Sequence, residues 1–215
     1  MQTELLRKIL LLTAGCFLSV LCFGQYQINY TEQQIQDLYT QCMQQDQSLA
    51  YPIFKLGVRK MLTQQSIKCK DKLIIADCSQ PSTQKRFYFF DLKEGKLLLH
   101  TYVAHGVNSG ELYAQYFSNI YGSFQTSLGL YHTAEVYCGA HDLSVRLDGL
   151  EPHKNSNVRK RDIVIHRAAY ANESFIFENG KLGRSYGCLA LPEEVSDELI
   201  ELMGGGVGVY VYVKP

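Results

Sequence analysis

Helix-period patterning in this chain stops before Lys72 and strand-period patterning takes over, and this switch bounds the fold more tightly than any other feature of the sequence. Leu73, Ile74, Ile75 and Ala76 form a short apolar run, and residues 86–91 and 96–104 flank the turn Lys93-Glu94-Gly95 and read as a hairpin. Further strand-like runs are 129–137, 143–147, 162–166 and 207–213. Upstream, 31–47 reads as a helix, because Thr31 caps it with Gln34 three residues on and Ile35, Leu38, Tyr39 and Cys42 share one face. Pro52 opens a second short helix through Met61 and Leu62. One late helix is expected over 192–203, with Pro192 at its first position, Glu193 and Glu194 in its positive first turn, and three glycines after it. The expected fold is mainly β, with an α-helical N-terminal segment and one or two packed helices.

Residues 1–24 read as an export signal: Arg7 and Lys8 precede an uncharged, mostly apolar run over 9–23 that ends at Gly24. The run is shorter than the roughly 20 residues that span a bilayer, so a cleaved signal is the first reading and an uncleaved anchor the second. Ala14-Gly15-Cys16 resembles the end of a lipid-attachment box, although Thr13 stands where such boxes favour Leu. An exported protein of the periplasm or cell envelope is expected, divided into a signal (1–24), a helical segment (25–71) and a β-rich body (72–215). Cys42, Cys69, Cys78, Cys138 and Cys188 remain after the signal. Five is odd, so at least one thiol stays free while up to two bridges form. With 21 basic and 21 acidic residues there is no basic field to hold a nucleic-acid backbone, and no nucleic-acid partner is expected.

The chemistry is concentrated in Ile163-Val164-Ile165-His166, a gap of 18 residues, and Ser185-Tyr186-Gly187-Cys188-Leu189-Ala190-Leu191-Pro192. A strand ending in His delivers an imidazole on a rigid support. Cys188 follows a glycine-containing turn and precedes the expected helix, an arrangement in which free backbone N–H groups favour thiolate over thiol. Gly187 lets a carbonyl substrate approach the amides of residues 187 and 188 as an oxyanion hole. On pattern alone, a Cys in an apolar run is equally a small buried hydrophobe, and a His ending a strand a structural donor. If the pair is catalytic, Sγ of Cys188 and a ring nitrogen of His166 share one cleft within about 4 Å.

His166, the 18-residue gap and Ser185-x-Gly187-Cys188 resemble the signature of the murein L,D-transpeptidase catalytic domain family, also called YkuD-like. The segments YVAHGVNSGE (102–111), FSN (117–119), SLGLYHTAEVYCGAHDLSVRLDGLE (127–151) and GRSYGCLALP (183–192) are similar to a branch found in exported proteins of Bacteroidetes-type bacteria. The resemblance implies a β-rich catalytic domain in which Cys188 is the nucleophile, His166 the general base and the backbone carbonyl of Arg167 the group that orients it. It implies an acyltransferase that holds a peptidoglycan stem peptide as a thioester and passes it to an amine. No metal and no organic cofactor are implied. Tyr186 stands where the commonest pattern has His, as a cleft wall; Leu189 replaces a common Pro, and Arg167 a small residue. The guanidinium of Arg167 has two readings: pointing into the cleft, where it can pair with a stem carboxylate, or facing solvent without effect.

Further substrate-binding candidates are Ser185 and Tyr186 beside the nucleophile, Arg184 as a carboxylate ligand, His105 at the end of the run 97–104, and Asn119 and Tyr131 in the similar segments. His132, Cys138 and His141 have metal-ligand types without a clear fourth partner. Expected partners are peptidoglycan stem peptides, with a second stem, a membrane-tethered or wall-associated protein, or water as acyl acceptor. Water would make the chain an L,D-carboxypeptidase. The alternative from another class is a non-catalytic wall-binding domain of the same fold.

Overall fold

The computed structural model describes residues 30–214, so the export-signal expectation lies outside the described residues. Thr31 caps helix α1 (Glu32–Cys42) through a reciprocal box: the Gln34 amide N–H donates to the Thr31 hydroxyl at 3.2 Å, and the Thr31 N–H donates to Oε1 of Gln34 at 2.8 Å. Helix α2 (Tyr51–Thr63) begins with Pro52 in its first turn, where a missing N–H costs nothing.

Eight strands follow: β1 (Cys69–Asp77), β2 (Phe87–Asp91), β3 (Lys96–Thr101), β4 (Gly129–Gly139), β5 (Asp142–Gly149), β6 (Val164–Arg167), β7 (Leu189–Leu191) and β8 (Val207–Tyr212). They form one sheet in the order β3-β2-β1-β8-β4-β5-β6-β7, antiparallel except where β1 meets β8 and β6 meets β7. Ala104, just past edge strand β3, bridges Ala190 on the opposite edge strand β7, with the Ala104 N–H donating to the Ala190 carbonyl at 2.8 Å. That bridge curls the sheet towards a barrel and leaves neither edge open at that point.

Strand alternation sorts the side chains into two cores. Leu73, Ile75, Tyr88, Phe90 and Tyr210 face α1 and α2, packing with Ile35, Leu38, Phe54 and Met61. Ile74, Ala76, Phe87, Phe89, Val209 and Val211 face the inside of the curl with Val145, Ile165 and Leu189. Helix α2 comes close to the sheet because Gly57 faces it; a Cβ there would lie 3.1 Å from Cδ1 of Ile75. The helical segment and the strands therefore share a core.

Two expectations for the C-terminal part are corrected. Residues 189–191 are a strand, and the late helix α4 (Asp197–Met203) starts after Ser196, whose hydroxyl accepts the Leu199 N–H. A three-residue apolar run is too short for periodicity to separate strand from helix, and Pro192 follows the strand instead of opening the helix. Helix α3 (Glu173–Asn179), which lacks a buried face, was not expected. All five cysteines among the described residues are free thiols, Cys188 among them.

Candidate active site

Parallel pairing of β6 with β7 does what the motif spacing alone cannot. The register His166↔Ala190 and Ile165↔Leu189 carries Cys188, just ahead of β7, to the strand that holds His166. Both side chains line one cleft of about 580 Å³, with Arg161, Asp162, Tyr170, Arg184, Ser185, Tyr186, His141 and the loop residues Tyr121, Gly122 and Phe124.

His166 is 2% exposed, and its Nδ1 lies 2.8 Å from the Arg167 carbonyl oxygen. A carbonyl only accepts, so Nδ1 carries the proton and Nε2 keeps its lone pair. Burial holds the imidazole below its ordinary pKa; the Arg167 carbonyl opposes this and the neighbouring His141 adds to it. His166 is thus kept neutral, with the Nε2 lone pair free to take a proton.

The thiol of Cys188 is half-buried and donates to the Asp162 carbonyl at 3.6 Å, not to the imidazole. Burial pushes it above the ordinary thiol range, partly offset by the Val164 N–H and the Arg161 guanidinium. This corrects the thiolate expectation. Cys188 precedes a strand, so no helix N-terminus faces it, and the resting pair is thiol and neutral imidazole.

The turn that presents Cys188 is held from inside. Ser185 Oγ accepts the Gly187 N–H at 3.1 Å and donates to the Cys188 carbonyl at 2.7 Å. Gly187 therefore does not offer its N–H to an oxyanion in this state. Its φ of +119° and its surroundings require glycine: a Cβ would lie 2.7 Å from Cδ1 of Ile163 and 2.8 Å from the Gln125 carbonyl oxygen.

Arg161, which the sequence pattern does not single out, ties the loop over the cleft. Nη1 donates to the Ser118 carbonyl and to Ser127 Oγ at 2.6 Å each, and Nη2 to Ser123 Oγ at 3.1 Å and to the Gln125 carbonyl at 2.5 Å. That loop carries Tyr121 and Phe124, and the Phe124 ring lies 4.8 Å from that of Tyr186. Phe124, Asp142 and Asp162 are the non-glycine residues with positive φ among the described residues, and each lines or adjoins this cleft. Strained backbone collects where function needs it.

Several expected contacts are corrected. Arg167 turns its guanidinium away: Nη1 donates to the Val195 carbonyl at 3.0 Å and Nη2 pairs with Asp197 at 2.7 Å. Arg184 lines the cleft but is paired with Glu111. His105 is 1% exposed and does not line the cleft; its Nδ1 accepts from Arg86 at 2.8 Å, so its Nε2–H donates to the Gly110 carbonyl at 3.2 Å. Its carbonyl accepts the Ser185 N–H at 3.0 Å, which braces the nucleophile turn from behind. Tyr131 is buried, its hydroxyl donating to the Ser127 carbonyl, and Asn119 bonds Pro152, Ser156 and Asn157. Both shape the loops behind the cleft, because their polar atoms are already committed. His132, Cys138 and His141 do not converge: His132 faces Thr133 and Asp148, while His141 stacks on His166.

No curated protein matches the chain. Distant likenesses exist among solved structures. An L,D-transpeptidase from Mycobacterium smegmatis is 13% identical at a TM-score of 0.41, over 66% of this chain and 59% of that one. The helical cell shape determining protein Pgp2 from Campylobacter jejuni is 14% identical at 0.42, over 75% and 55%. An L,D-transpeptidase from Stackebrandtia nassauensis is 16% identical at 0.39, over 74% and 67%. The chain thus spans less than two thirds of the length of the first two. The L,D-transpeptidase catalytic domain family matches residues 45–212, which take in every strand and all helices but α1. On that match the chain belongs to the L,D-transpeptidase catalytic domain family.

Proposed function

We propose that the chain is an exported cysteine L,D-transpeptidase acting on peptidoglycan stem peptides. One observation carries the reading. The Arg167 carbonyl holds the Nδ1 proton of His166, which leaves Nε2 as a free base in the cleft that also holds the Cys188 thiol.

In the proposed reaction Cys188 turns from the Asp162 carbonyl towards Nε2 and gives up its proton as Sγ attacks the carbonyl that precedes the terminal D-Ala. The C–N bond breaks, His166 returns the proton to the departing amine, and the stem remains as a thioester. An acceptor amine then attacks the thioester carbonyl. His166 takes a proton from it and passes it to the departing sulfur, restoring thiol and neutral imidazole. Keeping both partners neutral at rest suits this cycle, because the proton leaves sulfur only as Sγ bonds to the carbonyl and no buried ion pair has to be held between turnovers. The export expected from the N-terminal run would bring the chain to this substrate.

The test is incubation with a defined muropeptide carrying a tetrapeptide stem, with the products weighed. Loss of the D-Ala mass and gain of a second stem is the expected result, abolished in Cys188→Ala. Loss of D-Ala with gain of water would make the chain a carboxypeptidase. Failure of Cys188 to form any adduct with a carbapenem or a thiol reagent would leave the wall-binding reading.

A further inference from the structure

The imidazole of His141 stacks on that of His166 with 4.3 Å between ring centroids and 23° between planes. The topology builds this contact. The β5–β6 register Val145↔Ile165, continued, sets Ser144 opposite His166, so the tip of the β4–β5 hairpin overhangs the end of that ladder. Gly139 pairs with Asp142, which leaves Ala140 and His141 as a two-residue tip, and Asp142 closes it at φ 56°. An exposed His on a tight hairpin would ordinarily point to water; this one lies against the most buried imidazole of the cleft and lines the cleft itself.

We propose that His141 is a positioning residue for the base, one that covers the face of His166 and thereby fixes its ring plane and sets its proton affinity. The proposal rests on His166 acting as the base of the reaction above. His166 is held in its plane by the Arg167 carbonyl and approached edge-on by Tyr170 at 6.4 Å. A stacked ring on the open face restrains rotation about the Cβ–Cγ bond, which would swing Nε2 away from Sγ. A proton on His141 repels one on His166, so the stack also keeps the base unprotonated to lower pH. The other charged groups of the cleft have their own partners: Asp162 pairs with Arg146, Arg184 with Glu111, and Arg161 is spent on the loop carbonyls and hydroxyls. Arg167 on the same strand is turned towards Asp197, and Asp142 follows His141 in the chain as the carboxylate of that hairpin.

The experiment is the pH dependence of Cys188 alkylation by iodoacetamide in the full chain, mapped by peptide mass spectrometry because Cys138 is also an exposed thiol. It is run on wild type, His141→Phe and His141→Ala. His141→Phe keeps a stacked ring without a charge. Its acidic limb should move to higher pH by about one unit, with the plateau rate within about twofold of wild type. His141→Ala should show the same displacement and lose about 3- to 10-fold in plateau rate, the range an aromatic contact supports. Profiles that superimpose on wild type overturn the proposal, as does a plateau that falls equally in both variants. Alkylation needs no stem peptide, so shifted profiles in a protein that turns over no muropeptide would defeat the transpeptidase reading and leave this one standing.

Discussion

The hydroxyl of Ser185 donates to the carbonyl of Cys188 at 2.7 Å while accepting the Gly187 N–H at 3.1 Å, so one side chain closes the turn that presents the nucleophile. Ser185 is 6% exposed, so its two partners are cut off from water if the hydroxyl is removed. Ser185→Ala should cost about 1–3 kcal/mol of stability and slow Cys188 chemistry roughly 10- to 100-fold. Ser185→Thr, which keeps the hydroxyl, should recover most of both. Urea unfolding and single-turnover acylation check the pair of effects, and an unperturbed acylation rate in Ser185→Ala would show that the turn holds without it.

Gly187 has no room for a methyl group and sits at φ +119°. Gly187→Ala should lose about 1–3 kcal/mol from backbone strain alone, and more from contact with Ile163 and the Gln125 carbonyl. The carbonyl cannot yield without moving the loop that Arg161 holds, so turnover should fall roughly 100-fold or more. Circular dichroism and muropeptide turnover, measured together, separate a local change from general unfolding.

Arg167 braces β6 against the segment leading into α4, through Val195 and Asp197. Arg167→Ala retains the carbonyl that orients His166 and removes that brace. Stability should drop by about 1.5–3 kcal/mol, while the Michaelis constant for a tetrapeptide donor stays within about twofold. Weakening of donor binding by roughly 10-fold or more would mean that the guanidinium reaches the substrate.

Burial beside Arg86 lowers the pKa of His105 from 6.5 to about 4. In the unfolded chain the imidazole takes up its proton near pH 6.5, and in the folded protein it resists until about pH 4. His105 therefore adds no pH dependence at neutral pH and removes stability as pH falls through that window, by about 3 kcal/mol in full. His166, also lowered by burial, acts in the same direction. Urea midpoints from pH 7 to pH 4 should fall less steeply in His105→Gln than in wild type, even though the variant starts lower. Equal slopes would reject the assignment.

Elements whose signals are local were legible along the chain. The Thr31–Gln34 capping box, the turn between β2 and β3 and the apolar run in β1 depend on neighbours a few residues away, and each forms where the pattern places it. The β-rich class follows from them. Cys188 and His166 were legible as a motif with a fixed gap, and they meet in one cleft. Other features were decided only in three dimensions. Leu189-Ala190-Leu191 became a strand because β6 offered it a parallel ladder, and this removed the helix N-terminus expected to activate the thiol. Arg167 found Asp197, 30 residues along the chain, and His105 found Arg86; each pairing satisfied a polar group away from the cleft. His141 stacks on His166 because a sheet register fixes how far a hairpin projects, and sequence spacing carries no trace of that distance. Local patterns set the elements, while the roles of polar side chains were set by which partners the closed sheet brought within hydrogen-bonding reach.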